Sequence, residues 1–159
     1  MAIYIKRAMD MPRDDLFKGR ISREGQIYHI TMTTDERRPL FREFECARIA
    51  VAELRRLHEQ NVVNSLAWVL MPDHLHWLFQ LNGPIGLSTV VKVFKGRSAR
   101  QLGLWMDTGG AVWQQGFRDH ALRSEEDIRK VARYIVANPL RAGLVERIGD
   151  YPFWDAQWL

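Results

Sequence analysis

The sequence predicts an α+β sandwich of the ferredoxin-like kind, an antiparallel four-stranded sheet with helices on one face and an added C-terminal helix. Three observations predict it. Residues 26–34 (QIYHITMTT) alternate as a strand does. Residues 62–70 and 73–81 are short apolar runs separated only by Met71 and Pro72, a spacing that favours antiparallel neighbours in one sheet. Apolar residues recur at three-and-four spacing in three other stretches. The resulting order is β, α, β, β, α, β, α.

The first strand alternates Ile27, His29, Thr31 and Thr33 against Tyr28, Ile30, Met32 and Thr34, and its β-branched and aromatic content suits a pleated, half-buried surface. After a turn around Asp35 to Pro39, the set Leu40, Phe44, Ala47, Val51, Leu54 and Leu57 predicts a helix from about residue 40 to residue 60. Asn82-Gly83-Pro84 ends the third strand. Leu87, Val90, Val91, Phe94 and Leu102 then mark a second helix. Gly109-Gly110 signals a loop, and residues 111–123 are expected to supply strand four. Ser124, three residues before Asp127, reads as a capping box opening a third helix with apolar positions Ile128, Val131, Ala132, Ile135 and Val136. Pro139 biases Asn138 away from helical geometry, so that helix should stop there.

The 159 residues read as one domain, and 47% hydrophobic content is enough for a real core. The single cysteine, Cys46, excludes an internal disulfide framework and reads as a small buried residue. No apolar run approaches the roughly 18 residues of a membrane span, and no signal peptide is legible, so a soluble cytoplasmic protein is expected. The net charge is +4, yet no acid occurs between His74 and Met106 while Lys92, Lys95, Arg97 and Arg100 do. That stripe suits a polyanion, although a solvated helix face has the same composition. Residues 1–24 carry Lys6, Arg7, Arg13, Lys18, Arg20 and Arg23 against four acids, a basic arm or simply a solvated terminus.

Chemistry concentrates in Met71-Pro72-Asp73-His74-Leu75-His76-Trp77. Residues two apart on a strand share a face at roughly 6–7 Å, so His74 and His76 project together, with Leu75, Trp77, Phe79 and Leu81 on the core side. Two such imidazoles can converge on a divalent ion, and a structural or exposed pair would look the same. Tyr134 and Asn138, four apart on the third helix, also share a side. A tyrosine can form a covalent phosphoryl intermediate and an amide oxygen can ligate a metal, while a flanking tyrosine and a helix-capping asparagine are the plain alternatives.

The segments VLMPDHLHWLFQL, VWQQGFRDHALR, VARYIVANPLRAGLV and GDYPFW, in that order over residues 26–153, resemble the single-tyrosine HUH transposases, specifically the REP-associated tyrosine transposases. The resemblance implies that His74 and His76 are the HUH metal pair, Tyr134 the nucleophile and Asn138 the third ligand, where related transposases often carry glutamine. It implies Mg2+ or Mn2+ as cofactor. Trp113, Gln114, Phe117 and His120 match a family pattern W-Q-x-x-F-x-x-H, with Gln114 and His120 as supporting residues around the site. The expected activity is metal-dependent cleavage and rejoining of single-stranded DNA at repeat hairpins through a 5′-phosphotyrosine, with Lys92, Lys95, Arg97, Arg100, Arg20 and Arg23 as DNA-binding residues. A monomer is expected, with a dimer as the alternative. Two other functions fit the same residues: a cleavage-silent regulator that binds hairpins, and another HUH nuclease such as a relaxase or replication initiator.

Overall fold

The computed structural model describes residues 22–123 and 125–158. The elements are β1 (Ile27–Thr33), α1 (Phe44–Glu59), β2 (Val63–Leu70), β3 (His74–Leu81), α2 (Leu87–Met106), β4 (Arg118–Ala121), α3 (Glu125–Val136), α4 (Asn138–Arg141) and β5 (Trp154–Ala156). One antiparallel sheet has the order β4-β1-β3-β2-β5, with β3 in the centre. The α+β class is as expected, but the sheet has five strands rather than four. The additional strand is Trp154–Ala156, which pairs with Ala67, Trp68 and Val69 of β2.

Each sheet face is hydrophobic for its own reason. On one, Tyr28, Ile30 and Met32 of β1 and Leu75, Trp77, Phe79 and Leu81 of β3 bury against α1 and α2, which contribute Ala47, Ala50, Leu54, Leu57, Val90, Val91 and Phe94 at helical spacing. Trp77 is fully buried, and its indole N–H donates to Ser65 Oγ at 3.0 Å, so the large side chain carries no unsatisfied donor. On the other face Leu66, Ala67, Val69, Leu78 and Ala156 bury against Ile128, Ala132, Ile135 and Val136 of α3. The tyrosine-bearing helix therefore lies across the sheet from α1 and α2.

Boundaries depart from expectation where local chemistry intervenes. The first helix starts at Phe44 instead of Leu40, because residues 40–42 form a 3-10 turn that buries Phe41 and Glu43 is extended. Phe41 N–H donates to Pro72 O at 3.0 Å, tying this turn to the β2–β3 connection. Strand four is only Arg118–Ala121. Ahead of it the chain makes one isolated bridge, Trp113 opposite Thr34, and Gly116 then takes φ 76°, a left-handed conformation that interrupts pairing. The third helix ends at Val136, and Asn138 opens the one-turn helix α4 rather than leaving helical geometry. The Ser124 capping box lies outside the described residues. Cys46 is buried in α1, as expected.

Candidate active site on the open half of the sheet

The strand register carries polar residues across one half of the α3 face. Antiparallel partners share a face, so Arg118 of β4, Thr31 of β1 and His76 of β3 form one row, and His120, His29 and Leu78 the next. Helix α3 covers the β2–β5 side of these rows, where Val69, Ala67 and Ala156 lie, and the polar side continues toward β4. An open cleft of about 360 Å3 lies between β4 and α3, lined by His120, Leu122, Arg123, Asp127, Lys130 and Val131.

His74 and His76 project together as the strand period requires, with ring centroids 5.0 Å apart and planes nearly perpendicular. Each ring is fixed through Nδ1. The His74 Nδ1 lies 2.6 Å from Asp73 Oδ1, a carboxylate–histidine pair, and Arg37 braces the other Asp73 oxygen at 3.3 Å. His76 Nδ1 lies 3.1 Å from both His29 Nε2 and Thr31 Oγ1. Among the described residues no hydrogen bond engages either Nε2, an arrangement that suits metal-binding imidazoles. Burial, joined by His74, His29 and Arg141, lowers the His76 pKa to about 3, so this ring is neutral near pH 7 as a ligand must be. His29 is lowered to about 4 by burial and by His120. Among the described residues no three His, Cys, Asp or Glu side chains cluster tightly enough to hold a metal.

An amide oxygen can also ligate a metal, and Asn138 presents one. Ile135 O would accept from the backbone N–H four residues on, but that residue is Pro139, which has none. Asn138 Nδ2 donates to Ile135 O instead, at 2.9 Å, which leaves its Oδ1 for a ligand's role. Tyr134 stands near the end of α3, one turn before Asn138, and is 59% exposed. Arg141 Nη2 donates to Tyr134 O at 2.7 Å, and the guanidinium carbon lies 3.9 Å from the Tyr134 ring centroid. The same arginine is the smallest of the charges that lower the His76 pKa.

The basic stripe on α2 lies across the sheet from these residues, because its helix packs on the Trp77 face. Lys95 is half-buried, and its ammonium donates to Gln114 O at 2.8 Å and to Gly116 O; burial lowers its pKa to about 8. Arg97 approaches the buried Glu53 carboxylate at 3.6 Å, while Lys92 and Arg100 are exposed. Gln114 is placed by its backbone, donating to Thr33 O at 2.9 Å, whereas His120 faces His29 across the β1–β4 pair. Trp113 is core, with its indole on Ser98 Oγ at 2.9 Å. Arg20 lies outside the described residues, and Arg23 lies ahead of β1 at the start of the described chain. His29, Thr31, Asp73 and Arg141 were not selected as site residues by sequence. For His29 and Thr31 a signal existed: Tyr28, Ile30 and Met32 form the more apolar parity, which sends the other parity to the face opposite the core.

The model of the family described as Transposase IS200 like matches residues 22–138, most of the chain. The chain belongs to this family. It is thus a transposase, an enzyme that cleaves and transfers DNA. Among curated relatives, it is 28% identical over 133 residues to a REP-associated tyrosine transposase of Escherichia coli K12, covering 82% of this chain and 76% of that one. It is 24% identical to a putative REP-associated tyrosine transposase of Haemophilus influenzae, covering 82% and 79%. Its fold matches a REP-associated tyrosine transposase solved bound to a REP hairpin, with TM-score 0.73 at 23% identity, covering 86% and 79% of the two chains. It also matches a putative transposase from Deinococcus radiodurans, with TM-score 0.54 at 27% identity, covering 74% and 94%.

Proposed function

We propose that this transposase is a divalent-metal-dependent endonuclease and strand transferase for single-stranded DNA beside a repeat hairpin, acting through a 5′-phosphotyrosine on Tyr134. The observation that carries the reading is the imidazole pair on one sheet face, each ring held by Nδ1, together with a tyrosine held by the arginine whose charge reaches His76. His74 and His76 would offer Nε2, and Asn138 its side-chain oxygen, to Mg2+ or Mn2+. Bound there, the ion supplies Lewis-acid polarisation of the scissile phosphate.

The chain's own residues do the rest. Asp73 fixes the His74 ring, and His29 with Thr31 fixes the His76 ring, so that neither has to reorient on binding. The Tyr134 oxygen forms a bond to phosphorus as the bond from phosphorus to the 3′-oxygen breaks. The phenolic proton ends on the released 3′-hydroxyl, and the 5′-phosphate stays on the tyrosine. Attack by another 3′-hydroxyl reverses the step and rejoins strands. One phosphodiester replaces another, so no nucleoside triphosphate is consumed.

A solved relative bound to a REP hairpin supports a hairpin as the partner. Arg118, Arg123 and Lys130 are exposed on the histidine side and are placed to meet phosphates near the site. Lys92, Arg97 and Arg100, on the far side, fit a more distant part of the DNA, and Arg23, with Arg20 outside the described residues, adds basic charge ahead of β1 in the sequence. Lys95 contributes there chiefly by holding the residue 114–116 loop. In this reading the enzyme acts as a cytoplasmic monomer. The test is incubation of a labelled hairpin with a single-stranded flank, with Mn2+ or EDTA, for the parent, His76→Ala and Tyr134→Phe. Metal-dependent covalent adduct in the parent alone is expected. Tight hairpin binding with no adduct under any metal condition would instead make the protein a silent binding module.

A further inference from the structure

Tyr134 has a mechanical problem. It sits on the solvent side of α3, more than half exposed, where a tyrosine ordinarily samples several rotamers, whereas an attacking atom has to be held near its target. We infer that Arg141 is a positioning residue that clamps the Tyr134 ring in its working orientation, stacking on its face while anchored to its backbone. This rests on the reading of Tyr134 as the nucleophile and extends it to a residue outside the histidine and tyrosine positions.

Two contacts converge on one residue. Arg141 Nη2 donates to Tyr134 O at 2.7 Å, and the guanidinium carbon lies 3.9 Å from the ring centroid, well inside the range of a cation–π contact. The geometry follows from the sequence Asn138-Pro139-Leu140-Arg141. Pro139 removes the N–H that would have continued α3, Asn138 satisfies the Ile135 carbonyl that this leaves open, and one further helical turn brings Arg141 back beside Tyr134. Carbonyl capping alone does not need a planar cation over the ring, because any donor at the helix end satisfies Tyr134 O. The planar guanidinium does both at once.

The test uses a readout that does not require catalysis. The protein carries four tyrosines, so 3-fluorotyrosine labelling gives a short fluorine spectrum in which Tyr134 is assigned by its loss in Tyr134→Phe. In Arg141→Gln and Arg141→Ala that resonance should move toward the position of free 3-fluorotyrosine. Arg141→Gln keeps a donor for the carbonyl and should keep the parent's thermal midpoint. Adduct formation in a single turnover at saturating hairpin should slow at least about tenfold in both variants, with hairpin affinity little changed. An unmoved resonance in both variants overturns the clamp, and so does a parental rate at saturating DNA accompanied only by weaker binding. A restored resonance and rate in Arg141→Gln would reduce Arg141 to a helix cap. Retained adduct in Tyr134→Phe is a separate result: it removes the nucleophile reading while the fluorine spectrum still reports on the clamp.

Discussion

At His76 one ring nitrogen is held by two side chains from the neighbouring strand, and this is where a small substitution should have a large effect. Thr31→Val removes the hydroxyl that lies 3.1 Å from Nδ1 but retains shape, so the ring loses one of two anchors. The Mn2+ concentration for half-maximal adduct formation should rise by about 10- to 100-fold, the usual cost of disturbing the partner of a metal-bound histidine, with the melting temperature close to the parent's. Unchanged metal dependence would mean that His29 alone orients the ring. The His74–His76 pair itself was legible from strand period alone, because Leu75 and Trp77 are core residues and only one parity remains. Arg141 was not legible, since its partner is a backbone carbonyl seven residues earlier, reached only because Pro139 breaks the helix.

Among elements, α2 shows what a helical pattern specifies and what it leaves open. Its apolar set and basic stripe follow the helical spacing read from sequence, yet spacing does not say which side of the sheet a crossover takes. Two cations on the stripe are also engaged inside the protein: Lys95 holds carbonyls of the residue 114–116 loop, and Arg97 neutralises Glu53. Lys95→Ala should therefore lower the thermal midpoint while changing hairpin affinity less than Arg123→Ala, as measured by calorimetry and by titration at fixed salt. The same helix supplies Ser98, whose hydroxyl accepts from the buried Trp113 indole at 2.9 Å. Ser98→Ala leaves that donor unsatisfied and should cost about 1–3 kcal/mol of unfolding free energy, measured by urea denaturation. Strand β5 escaped sequence reading because Trp154 sits among Tyr151, Phe153 and Trp158, a group that reads as packing on the body, and its strand character comes from pairing with β2.

Over the whole molecule, the sheet has its two faces assigned to different tasks. The Trp77 face is closed by α1 and α2 and holds most of the large buried side chains, while the opposite face is divided between the apolar seat of α3 and the open row of histidines. The C-terminal segment locks that division by adding β5 and by Tyr151, whose hydroxyl donates to Leu70 O at 2.6 Å. Burial raises the Tyr151 pKa to about 12, above the value near 10 of an unfolded tyrosine. The folded state then binds the proton more tightly, so this contribution is complete below pH 10 and is lost as pH rises from about 10 through about 12. Tyr151→Phe should be less stable than the parent at pH 8 by about 1 kcal/mol, with the gap narrowing across that window in alkaline denaturation. The chain order of the elements up to α3 and the buried side of each could be read from residue periodicity, whereas the grouping of His29, His120 and Thr31 with His76 needed the strand register, which depends on pairing between distant segments.

In the proposed reaction Tyr134 becomes covalently joined to DNA. The most direct test is mass spectrometry of the proteolysed adduct formed with Mn2+ and a hairpin bearing a single-stranded flank. A nucleotide attached through its 5′-phosphate to the peptide containing Tyr134 is the predicted result, and attachment to any other residue would contradict it.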